Sequence, residues 1–270
     1  MNGSLLKKGG AVACGIITAI FTVTPQEVFR YGFVACNWSD SVVVLVNRVF
    51  VCAVVLLLSC VGYYLYLQIR RSVTISDKLF TIKIEYKNLF KEKKGKRVIN
   101  FDECYSTHVG NRPEDVKPGS VCGQYLEKYP IENMQILIQT SGIQPTGVSL
   151  YKNTPKYASG TLIPREDFLL MAFAKLDGQG LGRMTYAEYL ECLDKLWEQI
   201  DIYHGTDDVY LPILGSRITR FDKDLTQQEL LDIMVASYRL SPKKMKKPNI
   251  LHIVCKKRDG FSLNEIFGVE

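Results

Sequence analysis

Charge is nearly missing from the first 69 of the 270 residues. Only Lys7, Lys8, Arg30 and Arg48 are basic there, and only Glu27 and Asp40 are acidic. All other charged groups of a chain with 34 Lys+Arg and 28 Asp+Glu fall in residues 70–270. An apolar segment is thus followed by an ordinary, slightly basic globular one. The 8 cysteines form no Cys-x-x-Cys pair, and four of them (Cys14, Cys36, Cys52 and Cys60) lie in the apolar segment. That argues against a zinc ribbon or disulfide scaffold, and a reducing compartment fits the other four. Histidine is scarce as well. His108, His204 and His252 stand far apart, and there is neither a Gly-x-Ser-x-Gly nor a Gly-Lys-Ser/Thr signature. Nucleophilic catalysis and a Walker A loop therefore find no support. No internal repeat is present, and a composition of 47% hydrophobic and 23% charged residues excludes a disordered chain, a collagen and a coiled coil.

Within the apolar segment, Val49 to Leu67 is uncharged for 19 residues, which as a helix covers about 29 Å, close to the hydrocarbon thickness of a bilayer. Tyr63, Tyr64 and Tyr66 end the run like interfacial aromatics, and Arg70-Arg71 stop it. A buried core helix is the competing reading, but soluble helices keep a polar face. Gly9 to Thr24 is shorter, about 24 Å as a helix, and spans only with local thinning or help from Val28–Val34. A signal-peptide core after Lys7-Lys8 is the alternative, yet no small-x-small cleavage site follows promptly. The reading is a transmembrane hairpin in residues 1–71, with spans of about 9–30 and 45–69. Positive flanks place both termini inside and residues 25–40 outside. Arg48 is either an interface anchor or a group facing a neighbouring protomer or water. Residues 70–97 hold ten bases against three acids. A solvated loop accounts for most of that run, and the bases lack the interleaved aromatics of a nucleic-acid surface.

From residue 72 to 270 strands and helices alternate, which argues for a mixed or parallel sheet with helices on its faces. Period-two alternation predicts a strand over 79–86, and a short one follows over 97–101. A helix is expected over 124–139, interrupted near its start by Pro130. The continuous apolar run Phe168–Phe173 suits a strand covered on both faces. Thr185 and Glu188 form a capping box ahead of a helix to Ile200 carrying Trp197, and Thr226 with Glu229 does the same ahead of 227–238. Strands are expected at 209–214 and 250–255.

Two segments suggest chemistry. Leu214 to Arg220 follows a strand and combines a Gly215-Ser216 turn with Arg217 and Arg220, the composition of a phosphate-holding loop. A plain strand-to-helix turn looks similar. Asp177 to Glu188 superficially matches a calcium loop, but Leu181 offers no side-chain oxygen at position 5 and no second hand exists. A glycine turn before a capped helix is the simpler reading. Cys104 and Cys122 read as buried thiols.

The order Lys87-Asn88-Leu89-Phe90, then Val98 to Thr107, Ser120-Val-Cys-Gly123, Tyr157-Ala-Ser-Gly160-Thr161, Phe168–Asp177, Trp197 and Pro212 to Arg217 with Arg220 resembles a known family. It is similar to the macro-like domain found behind two membrane spans in bacterial antiphage effectors of type II Thoeris systems. The resemblance covers most of the chain and is carried by order and spacing, not by one motif. It implies an α/β fold: a two-helix transmembrane hairpin followed by a macrodomain-like three-layer α/β/α domain with a mixed sheet, whose cleft binds ADP-ribose derivatives. Asn88, with Leu89 and Phe90, stands where macrodomains place an adenine-reading acid, and Lys87 replaces the usual glycine. Asn100, Phe101, Asp102, Glu103, Ser106 and Thr107 would belong to the loop beside the distal ribose, and Gly160 and Thr161 would also bind the ligand. Gly215, Ser216, Arg217, Ile218 and Arg220 would hold the diphosphate, although Arg217 departs from the usual second glycine. The asparagine- and glycine-rich loop of de-ADP-ribosylating macrodomains is absent, which favours a sensor without catalytic residues, cofactor or metal.

The resemblance further implies a signal like histidine-ADP-ribose, made from NAD by a partner TIR-domain enzyme. It implies a homo-oligomer in the bacterial inner membrane, a cytoplasmic macro-like domain, and membrane disruption by clustered spans. A membrane-tethered enzyme acting on ADP-ribose-linked substrates is the alternative. A membrane scaffold whose soluble domain binds protein is a third class.

Overall fold

The computed structural model describes residues 3–31, 39–92, 94–216, 219–257 and 260–266. Two compact units divide the chain, Met1–Arg70 and Arg71–Glu270.

The first unit pairs α1 (Gly3–Val23) with α2 (Asp40–Ile69). Pro25 has no N–H and disfavours helix in the residue before it, so α1 stops and a single 3-10 turn, Gln26–Arg30, follows. The expected first span of 9–30 is thus a helix followed by a turn, not one continuous helix. The two helices run antiparallel. Gly9 lies so close to α2 that a Cβ there would stand 3.4 Å from Cys60 Sγ. At the other end the Arg48 guanidinium lies 5.6 Å from the Phe21 ring centre and 5.3 Å from that of Phe29. Asn47 Nδ2 donates to Phe29 O at 2.8 Å, and Arg30 pairs with Asp40. Arg48 therefore finds cation–π partners inside its own hairpin. Among the described residues, only Asp40–Ile69 is long and apolar enough to cross a bilayer, and the apolar part of α1 is Gly9–Val23.

The second unit contains, in chain order, β1 (Ser72–Ser76), β2 (Thr81–Tyr86), β3 (Lys96–Asp102), α3 (Val121–Lys128), α4 (Met134–Ser141), β4 (Gly147–Val148), β5 (Pro155–Lys156), β6 (Leu162–Arg165), β7 (Phe168–Leu176), β8 (Gly182–Met184), α5 (Tyr186–Tyr203), β9 (Val209–Pro212), β10 (Arg220–Phe221), α6 (Gln227–Leu240) and β11 (Leu251–Cys255). Among the described residues the main sheet has nine strands in the order β1-β2-β11-β9-β3-β7-β8-β10, with β6 also on β7, while β4 and β5 pair separately. The strands β2, β11, β9, β3 and β7 are parallel neighbours. Antiparallel β1, β6 and β8 make the sheet mixed.

Helices cover both faces. On one side Leu193, Leu196 and Trp197 of α5 and Leu231 and Met234 of α6 pack on Ile82, Ile253, Leu211 and Leu169. On the other, Tyr125, Leu126 and Ile138 of α3 and α4 pack on Ile99, Phe101 and Leu170. That double covering is the reason β7 is apolar without alternation. Pro130 separates α3 from α4, so the expected 124–139 helix is two short ones. Both expected capping boxes are formed, Thr185 with Glu188 and Thr226 with Glu229.

Gly160 shows how tightly the α5 face is packed. Its φ is +88°, and a Cβ would stand 2.5 Å from Cys192 O and 3.0 Å from Leu196 N, both backbone atoms of α5. Gly160→Val combines left-handed strain with overpacking and is expected to destabilise the unit by about 2–4 kcal/mol. Thermal unfolding checks this, and an unchanged midpoint would contradict the close approach.

Candidate functional site

Parallel strands finish on one side of a sheet, and here Tyr86, Cys255, Pro212, Asp102 and Leu176 mark those ends. In open α/β sheets that edge is where ligands bind. The loops leaving these strands enclose two lobes that share Asn100, Ser120 and Thr219. The first lobe encloses about 870 Å³, part of it open to solvent. Its walls are the Asn88–Phe90 turn after β2, the first turn of α3, Pro212 to Ser216 after β9, Gln227 at the start of α6, and Val254 to Lys256. The second lobe, about 1040 Å³, is bordered by Phe101, Asp102, Glu114, Asp115, Lys117 and Arg220, among others.

Two helices begin at the first lobe. Ser120 caps α3 through its hydroxyl, which accepts from Gly123 N at 2.9 Å, and Gln227 is the first residue of α6. Helix N-termini present free amides and a partial positive charge, a setting suited to a diphosphate. Leu89, Phe90, Val121 and Ile213 supply apolar wall for a flat ring. Asn100 adds an unusual polar group. Its Oδ1 is buried without a hydrogen-bond partner while the residue borders both lobes. Such an orphaned group is costly unless a bound molecule satisfies it.

The residues expected from the sequence distribute unevenly. Asn88, Leu89, Phe90, Asn100, Gly215 and Ser216 border the first lobe, and Phe101, Asp102 and Arg220 the second. Arg217 and Ile218 lie outside the described residues. Asn88 Oδ1 is already occupied, accepting from Phe90 N at 2.9 Å and capping the turn. Lys87, in place of a glycine, is tied down: its Nζ lies 2.9 Å from Glu92 and 3.6 Å from Glu85. Gly215 has φ +77°, and a Cβ there would meet the Phe221 ring at 2.6 Å. Turn geometry and that ring alone therefore require glycine at this position.

The remaining expected residues border neither lobe. Glu103 is buried, accepting from Ser149 Oγ at 2.6 Å and Leu176 N at 3.1 Å. Ser106 N donates to Asp102 Oδ1, as does Cys104 N, closing a turn. Thr107 follows in the same loop. Gly160 packs on α5, and Thr161 O accepts from the buried Tyr105 hydroxyl at 2.9 Å. Conversely, Ser120, Val121, Gln124, Ile213 and Gln227 were not singled out as site residues. The capping signals at Ser120 and Thr226 could have pointed to them.

Burial pushes the Asp102 carboxyl above its usual range, against the lowering effect of the Ser106 and Cys104 hydrogen bonds. Burial also raises the thiols of Cys104 and Cys122, and takes Cys255 up to about 12. These thiols are protonated at neutral pH and so poor nucleophiles. No group of three metal-ligating side chains occurs among the described residues. The calcium-like loop is a turn: Asp177 Oδ1 accepts from Gln179 N and Leu181 N, and its other oxygen holds Arg183 Nε at 2.6 Å. Glu188 is engaged by Thr185 and Lys175.

The orphaned oxygen gives a clean test. A ligand that donates to this oxygen is expected to bind the Asn100→Ala variant about 5- to 15-fold more weakly, the equivalent of one hydrogen bond of about 1–1.5 kcal/mol, with ADP-ribose as the probe. The unliganded protein should not lose stability through that oxygen, which has no partner to lose and is costly to bury. Calorimetric titration with parallel thermal unfolding checks both, and equal affinity would take Asn100 out of the site.

Comparison with known proteins agrees with this architecture. The family model described as Thoeris protein ThsA, Macro domain, matches residues 82–256, beginning after the apolar helices. A Thoeris protein ThsA from Bacillus amyloliquefaciens (strain Y2) is 25% identical over 236 residues, covering 79% of this chain and 77% of that protein. With the matched residues spanning well over half its length, the chain belongs to the Thoeris ThsA macro-domain family.

Proposed function

We propose that this protein is a membrane-anchored effector of antiphage defence whose macro domain senses an ADP-ribose-derived signal. Membership of the Thoeris ThsA macro-domain family supports the defence role. The observation that carries the sensing role is the cleft at the carboxyl ends of five parallel strands, with two helix N-termini, apolar walls and one unsatisfied amide oxygen. A diphosphate would sit at the helix starts of α3 and α6. The adenine ring would lie along Leu89 and Phe90, and the distal ribose beside Asn100. The signal in this reading is histidine-ADP-ribose or a close relative, released by a partner TIR-domain enzyme.

The membrane role is supported by exposure. Leu45, Val49, Leu57 and Leu58 of α2 are each at least 60% exposed, an apolar surface that water tolerates poorly. At 30 residues α2 is about 45 Å long, ample for a hydrocarbon layer of about 30 Å. The Gly9–Val23 part of α1 reaches only about 22 Å and needs a thinned bilayer. Positive flanks put both termini and the macro domain in the cytoplasm. Two helices cannot enclose a polar path, so disruption needs several copies. Ligand must then favour the assembled state, and a shift from 1% to 99% assembled needs about 5.5 kcal/mol of differential binding.

A second reading, a membrane-tethered enzyme processing ADP-ribose-linked substrates, draws on Asp102. Its raised carboxyl borders the second lobe and could donate a proton. Reconstitution of the full chain into dye-loaded liposomes separates the readings. The effector is expected to release dye and enlarge its oligomer when histidine-ADP-ribose is added. Binding without release or assembly would reject the effector mechanism, and turnover of the ligand would favour the enzyme.

A further inference from the structure

The cleft end of the sheet is also the end from which the chain leaves for α2. Tyr86 N donates to Arg71 O at 3.0 Å, and Lys87 N to Cys255 O at 3.2 Å. Arg71, Lys87 and Lys256 therefore sit at the ends of three neighbouring strands, β1, β2 and β11. Lys87 is occupied by Glu92, but Arg71, Lys256 and Lys257 are exposed. From Ile69 to Ser72 is only three residue steps, about 11 Å at full extension. That is the whole length of chain between the end of α2 and the start of β1. The turn between β1 and β2 lies six strand residues further away, about 17–20 Å. That far end carries more lysine: Lys243, Lys244, Lys246 and Lys247, with Lys247 N bonded to Leu79 O at 3.1 Å. Position along the sheet, not lysine count, distinguishes the two ends.

We propose that the cleft end of the macro domain docks on an anionic lipid surface through Arg71, Lys256 and Lys257, so that the bilayer stands beside the mouth of the ligand cleft. The inference rests on α2 being a membrane helix. Cations within a Debye length of anionic headgroups are attracted to them, and those beyond are screened. In this docking the three cations next to the tether meet the headgroups, and the far lysines, about 17–20 Å further along the sheet, take no part. Because Lys256 also borders the cleft, headgroups and an anionic ligand draw on adjoining positive charge.

The test uses the full chain in nanodiscs of phosphatidylcholine alone or with 30% phosphatidylglycerol, followed by hydrogen–deuterium exchange. Amides at 71–73 and 256–257 are expected to exchange several-fold more slowly in the anionic discs. High salt, about 0.5 M, should remove that protection. Replacing the three cations (Arg71→Gln, Lys256→Gln, Lys257→Gln) should weaken docking roughly five-fold for each cation removed. Exchange in β7 serves as the folding control. Lys246→Gln with Lys247→Gln, at the far end, should leave protection intact. Equal exchange in both discs, or protection that follows the far lysines, overturns the docking. A chain that enters neither disc refutes the membrane reading beneath it, a result distinct from incorporation without lipid-dependent protection.

Discussion

Five neighbouring strands that run parallel must all end on the same side, and that constraint organises the second unit. Parallel pairing forces each return through a helix or long loop, so both sheet faces are covered and the central β7 is an almost unbroken apolar run. Their carboxyl ends cannot pair further, and the loops leaving them converge. Asn88–Phe90, the start of α3, Pro212–Ser216 and the start of α6 meet there because β2, β3, β9 and α6 leave them no other place. The cleft is a consequence of topology before it is a property of any side chain.

Side chains then tune one wall. Glu85, on β2, meets His252 Nδ1 at 2.8 Å, and His252 stacks on Tyr210 with ring centres 4.2 Å apart. Burial alone would raise the Glu85 carboxyl. The His252 hydrogen bond and the charges of Lys87 and Lys83 outweigh it and hold the group below the ordinary range. The same network draws the Lys87 side chain toward Glu85 and Glu92. A lysine can thus occupy a position where the resemblance leads one to expect a glycine.

Much of this layout was legible in advance. Capping boxes at Thr185 and Thr226, the apolar run of β7 and the alternation of β2 each express a local rule strong enough to survive folding. The short pieces were not legible. The strands β6, β8 and β10 have four, three and two residues, too few for periodicity, and form because β7 and its neighbours offer an edge. Site residues split along the same line. Gly215 is legible from its place after a strand, and Asn88 and Asn100 follow from the resemblance; all three border the first lobe. Gly160, Thr161 and Glu103 looked similar in sequence, yet packing on α5 and hydrogen bonds to Ser149 and Leu176 occupy them. Which polar group is spent inside the fold depends on contacts far apart in the chain. In the hairpin, Arg48 was open between anchor and partner contact, and Phe21 and Phe29 give it a third place.

The proposed effector joins a cleft that recognises a nucleotide signal to helices that suit a bilayer, through the single residue Arg70 between α2 and the macro domain. Its central claim is that the cleft binds an ADP-ribose-type ligand and gives it back unchanged. The most direct measurement is calorimetry of the full chain in nanodiscs with ADP-ribose and histidine-ADP-ribose, followed by mass analysis of the recovered ligand. Saturable binding at one site per chain and ligand of unaltered mass are the expected result. No measurable heat at millimolar ligand, or recovery of cleaved products, would contradict it.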